Sequence, residues 1–381
     1  MEFGWTEDEV DYRNQVRQFV DEHVPADWRT EPRQRHFART ERDRVTEFTH
    51  GLRDRGWLTP HWPTEYGGAD APPWMHVILG EELWSIGEPR GPQYMSVNWI
   101  GPAIMSNGNA EQKKQHLSRI SDGEAFWCQG FSEPDAGSDL ASLKCRAVRD
   151  GDEYIVNGQK IWTSHTQLAE WCFLLVRTDP EAEPHKGISI LLVPLDTPGI
   201  EVRSIPNIAG ESSFAEVFFT DVSVPVANRL GPENGGWDIV RNALTYERVG
   251  APRWERATVI LDAIAAWSKA NGRYDDPAVR SGLGEAKAAC EAARYLAYSV
   301  IDERAKGIPP TPQAYVARVS MVRAEKLVGE LALTVMGEAA IDGSSLAANT
   351  YVSALTAGVA AGTYEVQLNL VAGLVLKLPR R

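Results

Sequence analysis

Gln129-Gly-Phe-Ser-Glu-Pro-Asp-Ala-Gly-Ser-Asp139 cuts off the apolar run Ala125-Phe126-Trp127-Cys128. Its eleven positions hold two glycines, a proline, two serines and three carboxylates. That density of Gly and Pro suits neither a helix nor a strand, so the stretch reads as a loop. Two readings of it stand open. One is a surface turn, the commoner fate of such clusters. The other is a loop whose glycines admit a ligand close to the backbone while its serines offer hydrogen bonds. The fold follows from what lies on either side, because the hydrophobic period changes across this loop.

Before it, the period is helical. Residues 6–55 open on Thr6 and Glu9, spaced as a capping box, and Val10, Val16, Phe19 and Val20 recur at roughly helical spacing. Two further helices are expected near 74–87 and 110–120, with a Pro/Gly-rich loop from Pro60 to Pro73 and another Gly/Pro segment between them. The basic run Arg33, Arg35, Arg39, Arg42 and Arg44 alternates with acids and reads as a solvated helix face. After the loop come short β-formers: Cys145-Arg-Ala-Val, Glu153-Tyr-Ile-Val, Lys160-Ile-Trp-Thr, Cys172-Phe-Leu-Leu-Val, Gly187-Ile-Ser-Ile-Leu-Leu-Val, Ile200-Glu-Val-Arg and Ala215-Glu-Val-Phe-Phe-Thr. Asp150-Gly151 and Asn157-Gly158 between them are hairpin signals. From Gly236 the helical period returns, over Trp237 to about Ala270 with Pro252 interrupting, then 285–306, 313–340 and 363–376. The expected fold is a multi-domain α+β chain: an N-terminal helical domain over 1–125, a middle antiparallel β-domain over 126–233 and a C-terminal four-helix bundle over 234–381. No βαβ alternation occurs, which argues against a Rossmann domain.

Composition narrows the function. With 39 Lys and Arg against 52 Asp and Glu, the net charge is −13, which argues against nucleic acid or an anionic membrane as main partner. No apolar run reaches ~18 residues, and Met1-Glu-Phe-Gly-Trp-Thr-Glu-Asp8 lacks an apolar signal core, so no membrane span is expected. Four scattered cysteines, Cys128, Cys145, Cys172 and Cys290, form neither a disulfide framework nor a metal site and fit a reducing, cytoplasmic setting. Thirteen tryptophans exceed what core packing needs and suit a site for flat or apolar ligands.

The order of these domains, together with Gly130-Phe-Ser-Glu-Pro-Asp-Ala-Gly-Ser-Asp139, Asn157-Gly-Gln-Lys-Ile-Trp-Thr-Ser164, Gly236-Trp237, Glu247-Arg248 and Gly362-Thr363, resembles the acyl-CoA dehydrogenase family across nearly the whole chain. The resemblance implies FAD as cofactor, an acyl-CoA thioester as substrate and an electron-transfer flavoprotein as electron acceptor. It places Gln129, Phe131, Ser132, Ser138, Trp162, Thr163, Ser164 and Thr363 against the flavin, and Ser138, Tyr246 and Arg248 against the substrate. An indole can stack on an isoalloxazine, and hydroxyl and backbone donors can stabilise charge building on it. The implied chemistry removes a proton from the carbon next to the thioester carbonyl while hydride leaves its neighbour. The base must be a carboxylate in a dry pocket, where desolvation strengthens it.

This sequence departs from the family pattern twice. The residue before Gly362-Thr363, the common home of the base, is Ala361, which cannot abstract a proton although its backbone N–H can still donate to the thioester oxygen. Some members carry the base one residue before an Arg in the first long bundle helix, which is Glu247 here. In homotetrameric members a neighbouring subunit grips the outer half of the flavin through an Arg-x-x-Phe-Gly segment and a Gly-Gly turn. Here these read Asn271-Gly-Arg-Tyr-Asp-Asp-Pro-Ala-Val-Arg280 and Val335-Met-Gly-Glu-Ala-Ala340, whose Asp275, Asp276 and Glu338 would repel a pyrophosphate. The pattern resembles heterotetrameric (α2β2) members of bacterial steroid side-chain catabolism, in which a paralogous subunit completes the site, and implies a bulky acyl-CoA. Two rivals remain: a flavin monooxygenase or oxidase on the same scaffold, and a non-catalytic subunit that completes a partner's flavin site.

Overall fold

The computed structural model describes residues 4–25, 28, 41–208, 213–309, 311–342, 346–348 and 350–379, without the side chains of 244–250. Helices α1 (Glu7–His23), α2 (Arg42–Arg53), α3 (Pro73–Ser85), α4 (Gly101–Asn107) and α5 (Ala110–Ser121) precede the strands. Strands β1 (Trp127–Gly130), β2 (Arg146–Asp150), β3 (Glu153–Ser164), β4 (Trp171–Arg177), β5 (Ile188–Pro194), β6 (Ile200–Ile205), β7 (Phe214–Pro225) and β8 (Arg229–Leu230) follow. The chain closes with α6 (Gly236–Gly250), α7 (Arg253–Ala270), α8 (Pro277–Ala305), α9 (Gln313–Met336), α10 (Thr350–Ala354) and α11 (Tyr364–Leu370). This is the helical, β, helical sequence of the expected α+β fold. Two compact units result: Met1–Arg35, Ala71–Pro89 and Glu247–Arg381 form one, His36–Asp70 and Arg90–Tyr246 the other.

In the unit holding the strands, the order is β6-β7-β3-β2-β4-β5-β8, with β1 beside β4. The antiparallel expectation needs correcting at two places, since β1 and β2 each run parallel to β4. Residues alternate in and out along β3 and β7, whereas the central residues of β4 and β5 are buried on both faces. Asp150-Gly151 makes the β2–β3 hairpin as expected, Asp150 pairing with Glu153. Asn157-Gly158 does not turn the chain. It lies inside β3 at a bulge, where Asn157 bonds across to Asp221 and a Cβ on Gly158 would stand 2.7 Å from the Cys145 Cα. The glycine is there for close approach, not for a turn.

Helix ends obey local chemistry. The Thr6–Glu9 capping box forms, Glu9 N–H donating to the Thr6 hydroxyl at 3.3 Å and Thr6 N–H to the Glu9 carboxylate at 2.8 Å. Tyr12, Val16, Phe19 and Val20 are buried, while Val10 is exposed. The continuous helical reading of 6–55 splits into α1 and α2, and Arg33, Arg35 and Arg39 lie outside the described residues. Arg44 pairs with the neighbouring Glu41 as a solvated face should, but Arg42 does not. Its guanidinium pairs with Glu170 and lies 5.3 Å over the Phe126 ring. A helical stretch over 93–107 replaces the loop expected there, because Gly101-Pro102 masks it. The helix widens to a π-turn over Ser96–Ile100 just ahead of Pro102, which lacks the N–H to continue the ladder, and a Cβ on Gly101 would meet the Trp62 indole at 2.3 Å.

In the other unit, α7, α8 and α9 share a core of Trp254, Leu261, Ile264, Cys290, Met321 and Val328, with buried alanines on α8 and α9 permitting close packing. Pro252 separates α6 from α7 as expected, and α8 starts at Pro277, ahead of the expected 285, because Asp276 caps it and Pro277 fills its first turn. Trp62, Trp127 and Trp254 are at most 2% exposed and serve packing, whereas Trp162 is 56% exposed.

A polar cluster sits within this core. Glu81 is 2% exposed and accepts from Arg13 at 2.6 Å, the Tyr298 hydroxyl at 2.5 Å and the Trp254 indole at 3.3 Å. Beside it, burial first and the Glu81 charge second push the Glu255 carboxyl up to about 7. The folded chain therefore keeps a proton that the unfolded chain releases near 4.5. This contribution to stability is complete below pH 4.5 and is lost as pH rises through about 7. Glu255→Gln is expected to stabilise the protein at pH 8 by up to ~3 kcal/mol, with the gain vanishing below the unfolded carboxyl's pKa. Urea titrations across pH test this, and a gain that does not vary with pH would refute the assignment.

Candidate functional site

The two motifs quoted from the sequence meet in space. β1 delivers the chain to the loop at Gly130, and Glu133 and Ala136 close a tight turn by reciprocal backbone bonds of 2.8 and 3.1 Å. Lys160 on β3 is 0% exposed, and its Nζ donates to the Glu133 carboxylate at 2.7 Å and the Phe131 carbonyl at 3.1 Å. Glu133 also accepts from the N–H groups of Lys144 at 2.6 Å and Cys145 at 2.9 Å. Ile161 N–H donates to the Ser132 carbonyl at 2.9 Å. The loop is thus tied to β3 by a buried ion pair whose charges are multiply hydrogen-bonded, the condition under which such a pair is tolerated. The sequence reading gave neither Glu133 nor Lys160 a role. The available signal was parity: Lys160 shares the inward period of Tyr154 and Val156, and a cation buried there requires an anion.

Just beyond Lys160, β3 departs from regular geometry. Register shifts between Lys160 and Thr163, and Trp162 takes a left-handed φ of 60°. A non-glycine residue there is strained, and such strain gathers at functional sites. The result is a 56% exposed indole, touching Phe214 edge-on at 6.0 Å, followed by a Thr163 that is 1% exposed with no hydrogen-bond partner for its hydroxyl. An exposed aromatic plate and an unsatisfied buried hydroxyl side by side are what a flat, polar-edged ligand would complete. Ser164 is half-buried next to them. Phe131 and Ser132 are half-buried, the Phe131 ring 6.0 Å from Phe173, and Gln129 is half-buried within β1. Ser138 is exposed on the turn that follows.

Other residues of interest lie elsewhere in the sequence. Glu247, Tyr246 and Arg248 belong to α6, with side chains outside those described. In the unit containing the bundle, Ala361 and Gly362 both adopt left-handed φ, 58° and 81°, and Thr363 caps α11 by accepting from Val366 N–H at 3.2 Å. In the same unit, Arg273 donates to the Val335 carbonyl at 2.8 Å, which brings 271–276 against the turn that carries Glu338. The Arg273 guanidinium therefore serves the end of α9, with Asp275 and Asp276 next to it in the chain.

Sequence models of the acyl-CoA dehydrogenase N-terminal, middle and C-terminal domains match residues 6–124, 128–222 and 234–376. Acyl-CoA dehydrogenase IpdE1 of Mycobacterium tuberculosis (strain ATCC 25618 / H37Rv) is 34% identical over 325 residues, 84% of either chain. Acyl-CoA dehydrogenase FadE26 of the same organism is 35% identical over 345 residues, 85% of this chain and 86% of its own. Among solved structures, the Tcur3481-Tcur3483 steroid ACAD superposes with a TM-score of 0.91 at 32% identity over the whole of both chains. The ChsE4-ChsE5 complex from Mycobacterium tuberculosis superposes with a TM-score of 0.86 at 31% identity, again over both whole chains.

Proposed function

As the chain belongs to the acyl-CoA dehydrogenase family, we propose that it oxidises a bulky, steroid side-chain acyl-CoA to the trans-2-enoyl-CoA, with FAD bound and Glu247 as base. The observation that carries this reading is the strained, exposed Trp162 beside the unsatisfied Thr163 hydroxyl, on a strand locked to the Phe131–Ser132 loop. Those groups fit the reactive half of a flavin. FAD, when bound, supplies the two-electron acceptor. Gln129, Phe131, Ser132, Ser138, Trp162, Thr163, Ser164 and Thr363 would hold it. Glu247 takes the proton from the carbon next to the thioester carbonyl, flanked by Tyr246 and Arg248 on the substrate. The Ala361 N–H donates to the thioester oxygen and so makes that carbon more acidic.

The outer half of the cofactor is a poor match for this chain's own copy. Asp275 and Asp276 follow Arg273 closely in the chain, Glu338 lies in the turn after α9, and the Arg273 guanidinium already bonds the Val335 carbonyl. This supports an α2β2 assembly with a paralogous subunit, in keeping with the Tcur3481-Tcur3483 steroid ACAD and the ChsE4-ChsE5 complex, to which the chain is similar. The four described cysteines are free and buried, which supports a cytoplasmic setting, with an electron-transfer flavoprotein as acceptor. Co-expression with candidate paralogues, followed by flavin and subunit counts, tests the assembly. One flavin per two chains and bleaching by steroid side-chain acyl-CoA are expected. A homotetramer carrying one flavin per chain would overturn the heteromeric part.

A further inference from the structure

We propose that Gln367 and Arg318 are positioning residues, which hold the turn at 360–363 from behind so that its amides face outward as a row of donors. The proposal rests on the reading above that this turn serves the acyl thioester. Two consecutive residues at left-handed φ, one of them Ala361, cost about 1 kcal/mol or more and must be held in place by their surroundings. Two buried side chains do so. Gln367, 1% exposed, donates through Nε2 to the carbonyls of Ala361 at 3.1 Å and Gly362 at 3.4 Å. Arg318, 4% exposed, donates through Nη2 to the Ala360 carbonyl at 3.3 Å. The carboxamide lies hard against the turn, since a Cβ on Gly362 would stand 2.4 Å from Nε2.

Three successive carbonyls thus accept from Gln367 and Arg318. No cis peptide occurs among the described residues, and in a trans peptide the N–H opposes its own C=O. The N–H groups of Ala361, Gly362 and Thr363 must therefore point to the other side. Successive amides in such a turn make a concavity suited to an anionic oxygen, here the enolate oxygen of a deprotonated thioester. An apolar residue at 367 could fill the same volume but would leave the carbonyls free to rotate, and the amides with them.

Acetoacetyl-CoA is the probe, because its acidic carbon forms an absorbing enolate without any oxidation step. On the complex co-expressed with its paralogous subunit and loaded with FAD, wild type is expected to lower the probe's apparent pKa below its value in solution. Gln367→Met should raise it by a unit or more, about a tenfold loss of enolate at fixed pH, while binding of the neutral probe changes by less than about threefold. Gln367→Glu should form enolate while its carboxyl is protonated and lose it on ionisation, because a carboxylate repels the carbonyls it replaces a donor to. That pH signature is read within one protein, so it survives any loss of stability in the Met variant. An unchanged probe pKa in Gln367→Met, or a Gln367→Glu profile that follows wild type, would overturn the positioning role. A wild-type protein that binds the probe without lowering its pKa would instead refute the thioester reading of the turn.

Discussion

Lys160→Met is expected to lose FAD and ~3–5 kcal/mol of stability together. The ammonium is fully buried and serves two acceptors, the Glu133 carboxylate and the Phe131 carbonyl. Removing it leaves Glu133, 9% exposed, as a buried anion with only the backbone donors of Lys144 and Cys145. It also releases the Phe131 carbonyl, one of the bonds that tie the loop to β3. The two consequences separate in a double variant. Lys160→Met with Glu133→Leu removes both charges, and such replacements are often neutral or better for stability. Urea titration should show most of the stability returning. FAD titration should not recover, because the Phe131 carbonyl stays untethered and the loop that carries Phe131 and Ser132 is no longer held by Lys160. If the double variant regains both, the ion pair serves the fold alone and not the site.

That pair also shows what could and could not be read in the sequence. Periodicity located the helices and strands on either side of the loop, because burial of one face imposes a period on composition. It failed where one residue met a tertiary demand stronger than its local preference. Asn157-Gly158 has hairpin chemistry, yet Gly158 is needed because Cys145 comes within a methyl's reach. Gly101-Pro102 looks like a break, yet the helix there needs a glycine to admit the Trp62 ring. Arg42 carries the same charge as Arg44, but only Arg42 has a ring and a carboxylate brought to it from distant sequence. Motif residues were legible as letters. The left-handed Trp162 and the unsatisfied Thr163 hydroxyl were not, since both depend on a bulge that no single strand specifies.

Glu247→Gln should leave FAD and acyl-CoA binding within a few-fold of wild type and slow bleaching of the flavin by substrate at least ~10³-fold. The substitution keeps volume and hydrogen-bonding shape, so it removes the capacity to accept a proton and little else. The case for Glu247 is partly one of vacancy. At the left-handed turn 361–362, where the resemblance would put a base, the side chain is a methyl group. A thioester α-carbon is too weak an acid to lose its proton to water at a useful rate, so an active chain must supply a carboxylate from another position. Glu247, in the helix that starts at Gly236-Trp237, is the one the resemblance nominates. Rapid mixing of substrate with the assembled protein, followed at the flavin absorbance, gives the rate, and equilibrium titration gives the binding. Slow bleaching with intact binding assigns the base to this chain. Undiminished bleaching would remove Glu247 from the role, and the proton would then have to go to the partner subunit. That outcome would turn the chain into the completing half of another subunit's site, and the same two measurements on the partner's variants would locate the carboxylate there.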